Sequence, residues 1–289
     1  MSGYKTFALV GAGNLGPFIV EALLDSKTAG DISEVILLTR PESATKDAVT
    51  QLAAKGAKVV PVDYASEDAL KAVLAGVDVV ISTLSHIAPD VQDTLARAAK
   101  AAGVQLFAPS EFGNPTVGIT EGILAGKAAF HARLQELGLP YALFFTGPFS
   151  DFIWAPFIGL DVAGGKVWVG ADGNAPVSFT SRKDIGRYVA YVLTKLPAAE
   201  LKNAIFRIEG DRKSFNEVFK AYEAKTGKKV EVTYKPVDEL KAAIAVNPYD
   251  APAALHLIWA VGGGQVGTPT SNDKFPGWNP APVLGFIEN

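Results

Sequence analysis

Apolar residues in the first half of the chain alternate between short continuous runs and longer stretches with helical spacing. The continuous runs predict six strands, at 6–10, 34–39, 57–62, 77–82, 104–108 and 141–146, and the first of them has the composition of a strand buried on both faces. The helically spaced stretches predict intervening helices, including those at about 42–55, 89–102 and 123–137. This alternation predicts an α/β fold with a doubly wound parallel sheet and right-handed crossovers.

Three glycines lie where the first strand gives way to the first helix. Gly11, Gly13 and Gly16 have the G-x-G-x-x-G spacing. In that motif the first glycine permits a tight turn, the second lets a pyrophosphate approach the backbone, and the third lets the helix pack against the strand. A helix from Asn14 onward would point free N–H groups into the turn, so Asn14 and Leu15 join the predicted anion site. We therefore predict a dinucleotide site at this turn.

The second half is less regular, because aromatic residues and prolines replace the alternation after Gly147. Helices are predicted at 181–196, 214–226, 237–246 and 253–261, strands at 204–208 and 229–234, and a loop at 262–280. We predict that 1–150 forms a Rossmann domain for the nucleotide and that 151–289 forms mainly a smaller α+β substrate lobe. The segment 177–208 is expected to return to the first domain.

Composition narrows the class of protein. The 289 residues are 48% hydrophobic and 20% charged, as in globular chains. A net charge of −3 gives no reason to expect nucleic acid or an anionic membrane as partner. The absence of cysteine excludes disulfides, thiolate zinc sites and a cysteine nucleophile. No apolar run reaches membrane length and the first strand starts at once, so we expect a cytoplasmic protein; a homodimer stays open.

The end of the second strand determines which nicotinamide cofactor the turn would select. An acidic residue there would bind a free ribose 2′-hydroxyl, whereas an arginine would accept a 2′-phosphate. The chain has Thr39 and Arg40 at this point. Glu42 and Lys46 are four residues apart, so we expect them to pair with each other and leave Arg40 to the phosphate. This predicts NADP over NAD; the alternative is a surface arginine that begins a loop.

Polar residues at the ends of the third and fourth strands are further candidates. Asp63 and Tyr64 would border the adenine. Ser82, Thr83 and Leu84 would lie beside the ribose and pyrophosphate, because parallel strands bring their carboxyl ends to one edge of the sheet. Ordinary strand-end polarity would explain the same residues.

Residues 107–113 read FAPSEFG, and KAAFH at 127–131 is followed by GLPY at 138–141. These segments resemble the isoflavone reductase-like and NmrA-like branch of the atypical short-chain dehydrogenases, which includes the phenylcoumaran benzylic ether and pinoresinol-lariciresinol reductases. PSEFG matches a signature of that family, and STLSH at 82–86 resembles its Ser-Thr-Val-Gly-His segment. The resemblance covers most of the first 150 residues and thins out afterwards.

That resemblance implies reduction with NADPH. It implies Lys127 at the position of the active-site lysine, Arg40 and Lys46 at the 2′-phosphate, and Phe112 near the nicotinamide. Pro109 and Ser110 of the signature join the cofactor-binding set. The turn reads GAGNLG rather than the GGTGYIG type of the plant reductases, a departure that bears on plant phenolic substrates more than on the cofactor.

Lys127 also has the local setting of a reactive lysine. It lies at the margin of an apolar helical stripe, one turn before His131. Partial desolvation beside a dinucleotide would lower its pKa, which suits a group that holds the nicotinamide ribose and exchanges a proton with substrate. On the pattern alone, a lysine snorkelling from an amphipathic helix is the stronger interpretation, and the resemblance reverses that choice.

Other chemistry-bearing residues give weaker signals. Tyr191 and Lys195 fit the Tyr-x-x-x-Lys motif of typical short-chain dehydrogenases, but they lie on the helix before the last strand, where we expect a packing residue and a helix-end cation. The three histidines, His86, His131 and His256, lack metal-ligand spacing, so we expect no metal site. His86 could face the cofactor or substrate or be a plain loop residue.

Aromatic residues cluster where the substrate lobe begins, at Phe149, Phe152 and Trp154. They suit a flat aromatic substrate, although an interior core explains them equally well. We therefore predict an oxidoreductase that passes hydride from NADPH to an aromatic or conjugated small molecule. The alternative is a non-catalytic NADP(H)-sensing regulator of the NmrA kind that acts through a protein partner.

Overall fold

The computed structural model describes residues 1–84 and 89–287. The chain forms two compact units. The first unit comprises Met1–Glu111, Gly126–Phe144 and Ile185–Phe206, and the second comprises Phe112–Ala125, Phe145–Asp184 and Arg207–Asn289. In the described ranges, every helix is too short or too polar to traverse a lipid bilayer.

Twelve strands and ten helices are found in the described residues. The strands are β1 (Thr6–Val10), β2 (Glu34–Thr39), β3 (Lys58–Pro61), β4 (Val79–Ser82), β5 (Leu106–Ala108), β6 (Ala142–Phe145), β7 (Leu160–Asp161), β8 (Lys166–Gly170), β9 (Val177–Phe179), β10 (Ala204–Arg207), β11 (Asp211–Lys213) and β12 (Glu231–Lys235). The helices are α1 (Gly16–Thr28), α2 (Asp47–Ala54), α3 (Glu67–Val73), α4 (Pro89–Ala101), α5 (Ala125–Glu136), α6 (Arg182–Lys195), α7 (Ala198–Leu201), α8 (Phe215–Thr226), α9 (Val237–Val246) and α10 (Ala251–Ala260).

The first unit is built on a parallel sheet with the strand order β3-β2-β1-β4-β5. The chain runs outward from β1 to β3, then returns to the other side of β1 for β4 and β5, so the order reverses between β1 and β4. Strands β1, β2 and β4 are buried along almost their whole length, as strands covered on both faces must be. The predicted doubly wound α/β fold is confirmed, and ligands of such sheets bind at the reversal point.

The sixth predicted strand differs from expectation. It forms β6, but it pairs with β10 in a separate two-stranded ladder rather than as a full member of the main sheet. A single bridge between Phe107 and Tyr141 joins it to β5. Strand β5 has only three residues, which leaves little ladder for a sixth strand to extend.

The helix predicted at 42–55 begins later than expected. Pro41–Ser43 forms a short 3-10 turn, and Lys46 is extended, with φ −66° and ψ 143°, before α2 starts. The extended backbone at Lys46 interrupts the helical path between this turn and α2. Glu42 and Lys46 consequently do not share a helical face.

The second unit contains three small ladders and helices α8 to α10. Strand β8 lies between β7 and β12, antiparallel to the first and parallel to the second, and β9 pairs antiparallel with β11. Its core gathers large rings, including Phe215, Phe219, Tyr222 and Trp259. Strands β7, β8, β9 and β11 were not predicted, because they are short and lie among glycines and turns.

His256 is enclosed in this second core and is 1% exposed. Its Nε2–H donates to the Ile158 carbonyl at 2.9 Å, and its ring centroid lies 4.0 Å from that of Trp168. Burial lowers the pKa of His256 to about 4, against the opposing effect of the Ile158 hydrogen bond, and the charge of Lys235 lowers it further. His256 is therefore a neutral core residue at physiological pH.

Candidate active site

The glycine turn lies at the carboxyl end of β1. Gly11 has φ +99°, a conformation that side chains rarely adopt. A Cβ on Gly16 would overlap the carbonyl oxygen of Gly11, whereas a Cβ on Gly13 would meet nothing within 4 Å. The fold itself thus requires the first and third glycines, and Gly13 leaves open space where a ligand could approach the backbone.

Helix α1 starts at Gly16 rather than at Asn14. Leu15 precedes it with φ −106° and ψ −35°, and its carbonyl accepts the N–H groups of Phe18 and Ile19. The Leu15 side chain is buried, whereas Asn14 is exposed. Leu15 can therefore offer a ligand only its backbone N–H, which is the group that an anion at a helix start would use.

A cavity of about 380 Å³ opens beside this turn, wholly within the first unit. It is lined by Gly11, Ala12, Gly13, Thr39, Arg40, Ser43, Lys46, Ala48, Val49, Tyr64, Thr83, Leu84 and Val91. The buried hydroxyl of Thr39 has no hydrogen-bond partner among the described residues. An unpaired buried hydroxyl is costly unless something else satisfies it. The cavity therefore fits a polar ligand.

Two cations line the cavity. The Nε of Arg40 lies 3.2 Å from the Glu42 carboxylate, and both side chains are exposed. Lys46 is exposed at the start of α2 and, in the described part of the chain, has no carboxylate at ion-pair distance. The expectation that Glu42 pairs with Lys46 is wrong, because the 3-10 turn at 41–43 places Glu42 beside Arg40 instead.

Of the two candidates at the exit of β3, Asp63 and Tyr64, only Tyr64 lines the cavity. Its hydroxyl donates to the Leu38 carbonyl at 2.8 Å, and burial raises its pKa to about 12, so it is a neutral wall. Asp63 is exposed and accepts the backbone N–H of Ala65 at 2.9 Å, which is the ordinary role of an aspartate in a turn. Asp63 does not line the cavity.

The residues that end β4 behave differently from one another. Thr83 and Leu84 line the cavity, and the Thr83 hydroxyl donates to the Gly11 carbonyl at 2.8 Å, which locks the glycine turn. Ser82 is fully buried, and its hydroxyl has no partner in the part of the chain that is described. Ser110 donates its hydroxyl to the Leu84 carbonyl at 2.6 Å and so ties the end of β5 to the end of β4.

Pro109 and Phe112 are buried, and neither lines the cavity. Phe112 is the first residue of the second unit and has φ +23°. His86 lies outside the described residues.

Lys127 forms a second cluster in the first unit, on α5. Its Nζ donates to the backbone carbonyl of Glu111 at 2.7 Å. Burial lowers the pKa of Lys127, and the negative charge of Glu111 opposes that shift by raising it. A lysine with a lowered pKa loses or takes up a proton more readily near neutral pH than a surface lysine does.

The same glutamate also holds the histidine one turn further along α5. An Nε2 of His131 lies 2.8 Å from a carboxylate oxygen of Glu111, and the Glu111 side chain is 2% exposed. Sequence reasoning missed Glu111, which it treated only as a letter of PSEFG. The signal was present, because Lys127 and His131 are four residues apart and face the same way.

Comparison with known proteins assigns the chain to a family. Residues 4–261 match the family model described as the NmrA-like family. The chain belongs to the NmrA-like family. It is 31% identical over 255 residues to phenylcoumaran benzylic ether reductase Pyrc5 of Pyrus communis, covering 82% of this chain and 81% of that protein.

Solved structures share the fold of this NmrA-like chain. The binary complex of leucoanthocyanidin reductase and NADPH from Vitis vinifera has a TM-score of 0.80 at 22% identity, covering 98% of each chain. AtPrR2, solved with NADP+ and (+)pinoresinol, has a TM-score of 0.80 at 23% identity, covering 99% of each chain. At these identities the likeness establishes the architecture.

Lys195 and Trp154, which the sequence analysis singled out, have structural roles in this NmrA-like chain. Lys195 Nζ lies 2.6 Å from Asp31, within the first unit, so it is an ion-paired residue at the end of α6. Trp154 stacks on Phe179 in the second core and donates its indole N–H to the Ser150 carbonyl at 2.7 Å. Phe152 is 37% exposed, with the Arg182 guanidinium 5.2 Å from its ring centroid. Trp154 and Phe152 therefore have different surroundings, and Trp154 is explained by packing.

Proposed function

We propose that this chain is an NADPH-dependent reductase of aromatic or conjugated small molecules. One observation carries the proposal: the first unit combines a glycine turn with a cavity that presents Arg40 and Lys46, and it also holds a half-buried lysine with a lowered pKa. NADPH, when bound, supplies the hydride. The protein binds and orients the cofactor and the substrate, and it supplies the proton.

The adenylate half of the cofactor is assigned to the cavity. Backbone N–H groups from Gly13 to Gly16 would meet the pyrophosphate, since the turn leaves room at Gly13. Arg40 and Lys46 would bind the 2′-phosphate, which carries the charge that distinguishes NADPH from NADH. Tyr64, which lines the cavity and is uncharged, would border the adenine. Thr39 offers its unpaired hydroxyl to the ribose side.

Lys127 is assigned to the chemical step. With its amine held by the Glu111 carbonyl, it has a fixed position, and its lowered pKa lets it donate a proton to the substrate atom that becomes negative as hydride arrives. Substrate class is supported by the relatives, which are a phenylcoumaran benzylic ether reductase and proteins solved with NADPH or with NADP+ and (+)pinoresinol. We propose that 151–289 supplies most of the substrate lobe, as for the predicted domains.

The test is hydride loss from bound NADPH. The full chain is first titrated with NADPH and NADH by fluorescence, and then mixed with a panel of benzylic ethers, lignans, flavonoids and quinones while absorbance at the nicotinamide band is followed. Tight NADPH binding with turnover of an aromatic compound supports the reductase. NADPH binding without turnover on any compound favours the regulatory alternative, and equal affinity for NADPH and NADH contradicts the assignment of Arg40 and Lys46.

A further inference from the structure

Two side chains of α5 contact Glu111, one at its backbone carbonyl and the other at its carboxylate. Its backbone carbonyl accepts the Lys127 amine at 2.7 Å, and its carboxylate meets the His131 ring at 2.8 Å. Lys127 and His131 are separated by one turn of α5, so the helix grips Glu111 through two side chains on the same face. Because His131 holds the side chain of Glu111, the backbone carbonyl that accepts the Lys127 amine has a fixed position.

We propose that Glu111 is the positioning residue of Lys127, whose carbonyl holds the amine in place and whose buried carboxylate, oriented by His131, keeps a proton on that amine. This inference rests on the proposed function, because it assigns a role within the same site. It adds two residues to the reaction that act through Lys127 and not on the substrate.

Burial gives the carboxylate its influence. The Glu111 side chain is 2% exposed and the His131 side chain beside it is 13% exposed, so water screens the Glu111 charge poorly. The Glu111 charge raises the pKa of Lys127 against the larger effect of desolvation, which lowers it. Without that charge, burial alone would drive the lysine toward the neutral amine, which can no longer donate a proton.

The surrounding charged groups are accounted for by other contacts. The ring of His131 stacks on Tyr141 at 6.5 Å between centroids, and the Tyr141 hydroxyl accepts the amide N–H of Gln135. Arg133, two residues beyond His131, donates to Asp93 of α4 at 2.6 Å and pairs with Glu136 at 3.2 Å. Glu136 is thus a carboxylate on the same helix whose pairing is with Arg133.

The experiment measures the proton of Lys127 directly. Side-chain carbon NMR of uniformly labelled full-length protein, with Lys127 assigned from Lys127→Arg, gives the midpoint of its titration. We expect Glu111→Gln to lower that midpoint by about one pH unit, because the backbone carbonyl stays and only the charge is lost. We expect Glu136→Gln to leave the midpoint unchanged, since it removes a carboxylate from the same helix without touching Lys127.

Rescue distinguishes positioning from mere stability. His131→Gln retains a donor for the carboxylate, and we expect a midpoint close to that of the wild type. If Glu111→Gln does not fold, His131→Leu replaces it, because the carboxylate then loses the contact that orients it, and the Lys127 midpoint must again fall. A midpoint that moves in neither variant overturns the proposal.

Turnover gives a second and separable readout. In Glu111→Gln, the alkaline limb of the kcat profile should move to lower pH with the midpoint, while the KM for NADPH stays at the wild-type value. If the wild type turns over no compound, the proposed function fails, and the NMR midpoints still decide whether Glu111 controls the Lys127 proton. If turnover is normal but the midpoint of Glu111→Gln equals that of Glu136→Gln, only the inference fails.

Discussion

Each unit holds a basic side chain whose pKa is lowered by burial, and the neighbouring charges that act on these two side chains have opposite signs. Lys127, in the first unit, is half-buried, and the negative charge of Glu111 works against the loss of its proton. His256, in the second unit, is buried among aromatic rings with Lys235 nearby, so the charge and the burial act together against protonation. Burial alone therefore does not make a residue a catalytic candidate, whereas burial together with a specific charged partner does.

The largest effect is expected from removing the lysine amine. Lys127→Met keeps the apolar stem and removes the proton donor, so kcat should fall by about 10²- to 10⁴-fold while NADPH still binds. Stopped-flow hydride transfer and a fluorescence titration measure the two quantities. His256→Phe should keep near-wild-type kcat, and a comparable loss of kcat in both variants would erase the distinction between the two buried bases.

The role of His256 should be visible in the free energy of unfolding at acid pH. His256 has a folded pKa of about 4, below its unfolded value, so the unfolded chain binds more protons between those two values and stability falls as pH drops through them. We expect a loss of about 3 kcal/mol from pH 7 to pH 4 from this residue. Urea unfolding at several pH values measures it. His256→Phe should show a flatter dependence, and an identical slope in both proteins would contradict the buried neutral histidine.

The preference for NADPH over NADH tests the role of Arg40, a cation of the first unit that is exposed rather than buried. Arg40→Asp should weaken NADPH binding by about 10- to 100-fold and leave NADH binding nearly unchanged, because only NADPH carries the 2′-phosphate. Isothermal titration with both nucleotides gives the ratio. Lys228→Asp makes the same charge change at an exposed residue that does not line the cavity, and it should leave the ratio as it is. A ratio that survives Arg40→Asp moves the phosphate elsewhere.

The smallest effect separates two glycines of one motif. Gly16→Ala forces a methyl group against the Gly11 carbonyl and should lower the free energy of unfolding by about 1–3 kcal/mol. Gly13→Ala has open space around it, so its stability should stay within about 0.5 kcal/mol of the wild type. NADPH affinity should nevertheless fall in Gly13→Ala. Equal stability of the two variants would show that the turn relaxes around Gly16.

Much of the first unit is predictable from sequence because its signals are local. The strands at 6–10 and 34–39 have the predicted bounds, and the reversal of strand order follows from strand–helix alternation. The Arg40–Glu42 pair was not predicted, because a 3-10 turn and an extended residue at Lys46 replace the continuous helix that the spacing indicated, and this changes which residues are neighbours. Glu111 and its two partners depend on contacts 16 and 20 residues apart along the chain, which periodicity does not encode.

The ion pair between Lys195 and Asp31 has a practical consequence for anyone who searches this chain by motif. Tyr191 to Lys195 spells the Tyr-x-x-x-Lys motif of typical short-chain dehydrogenases, but the amine of Lys195 is paired with Asp31. Replacing Lys195 removes a partly exposed ion pair, which is worth about 0–1 kcal/mol of stability, so a small loss in a bulk activity assay would reflect the amount of folded protein. Specific activity corrected for the folded fraction distinguishes such a loss from a catalytic defect.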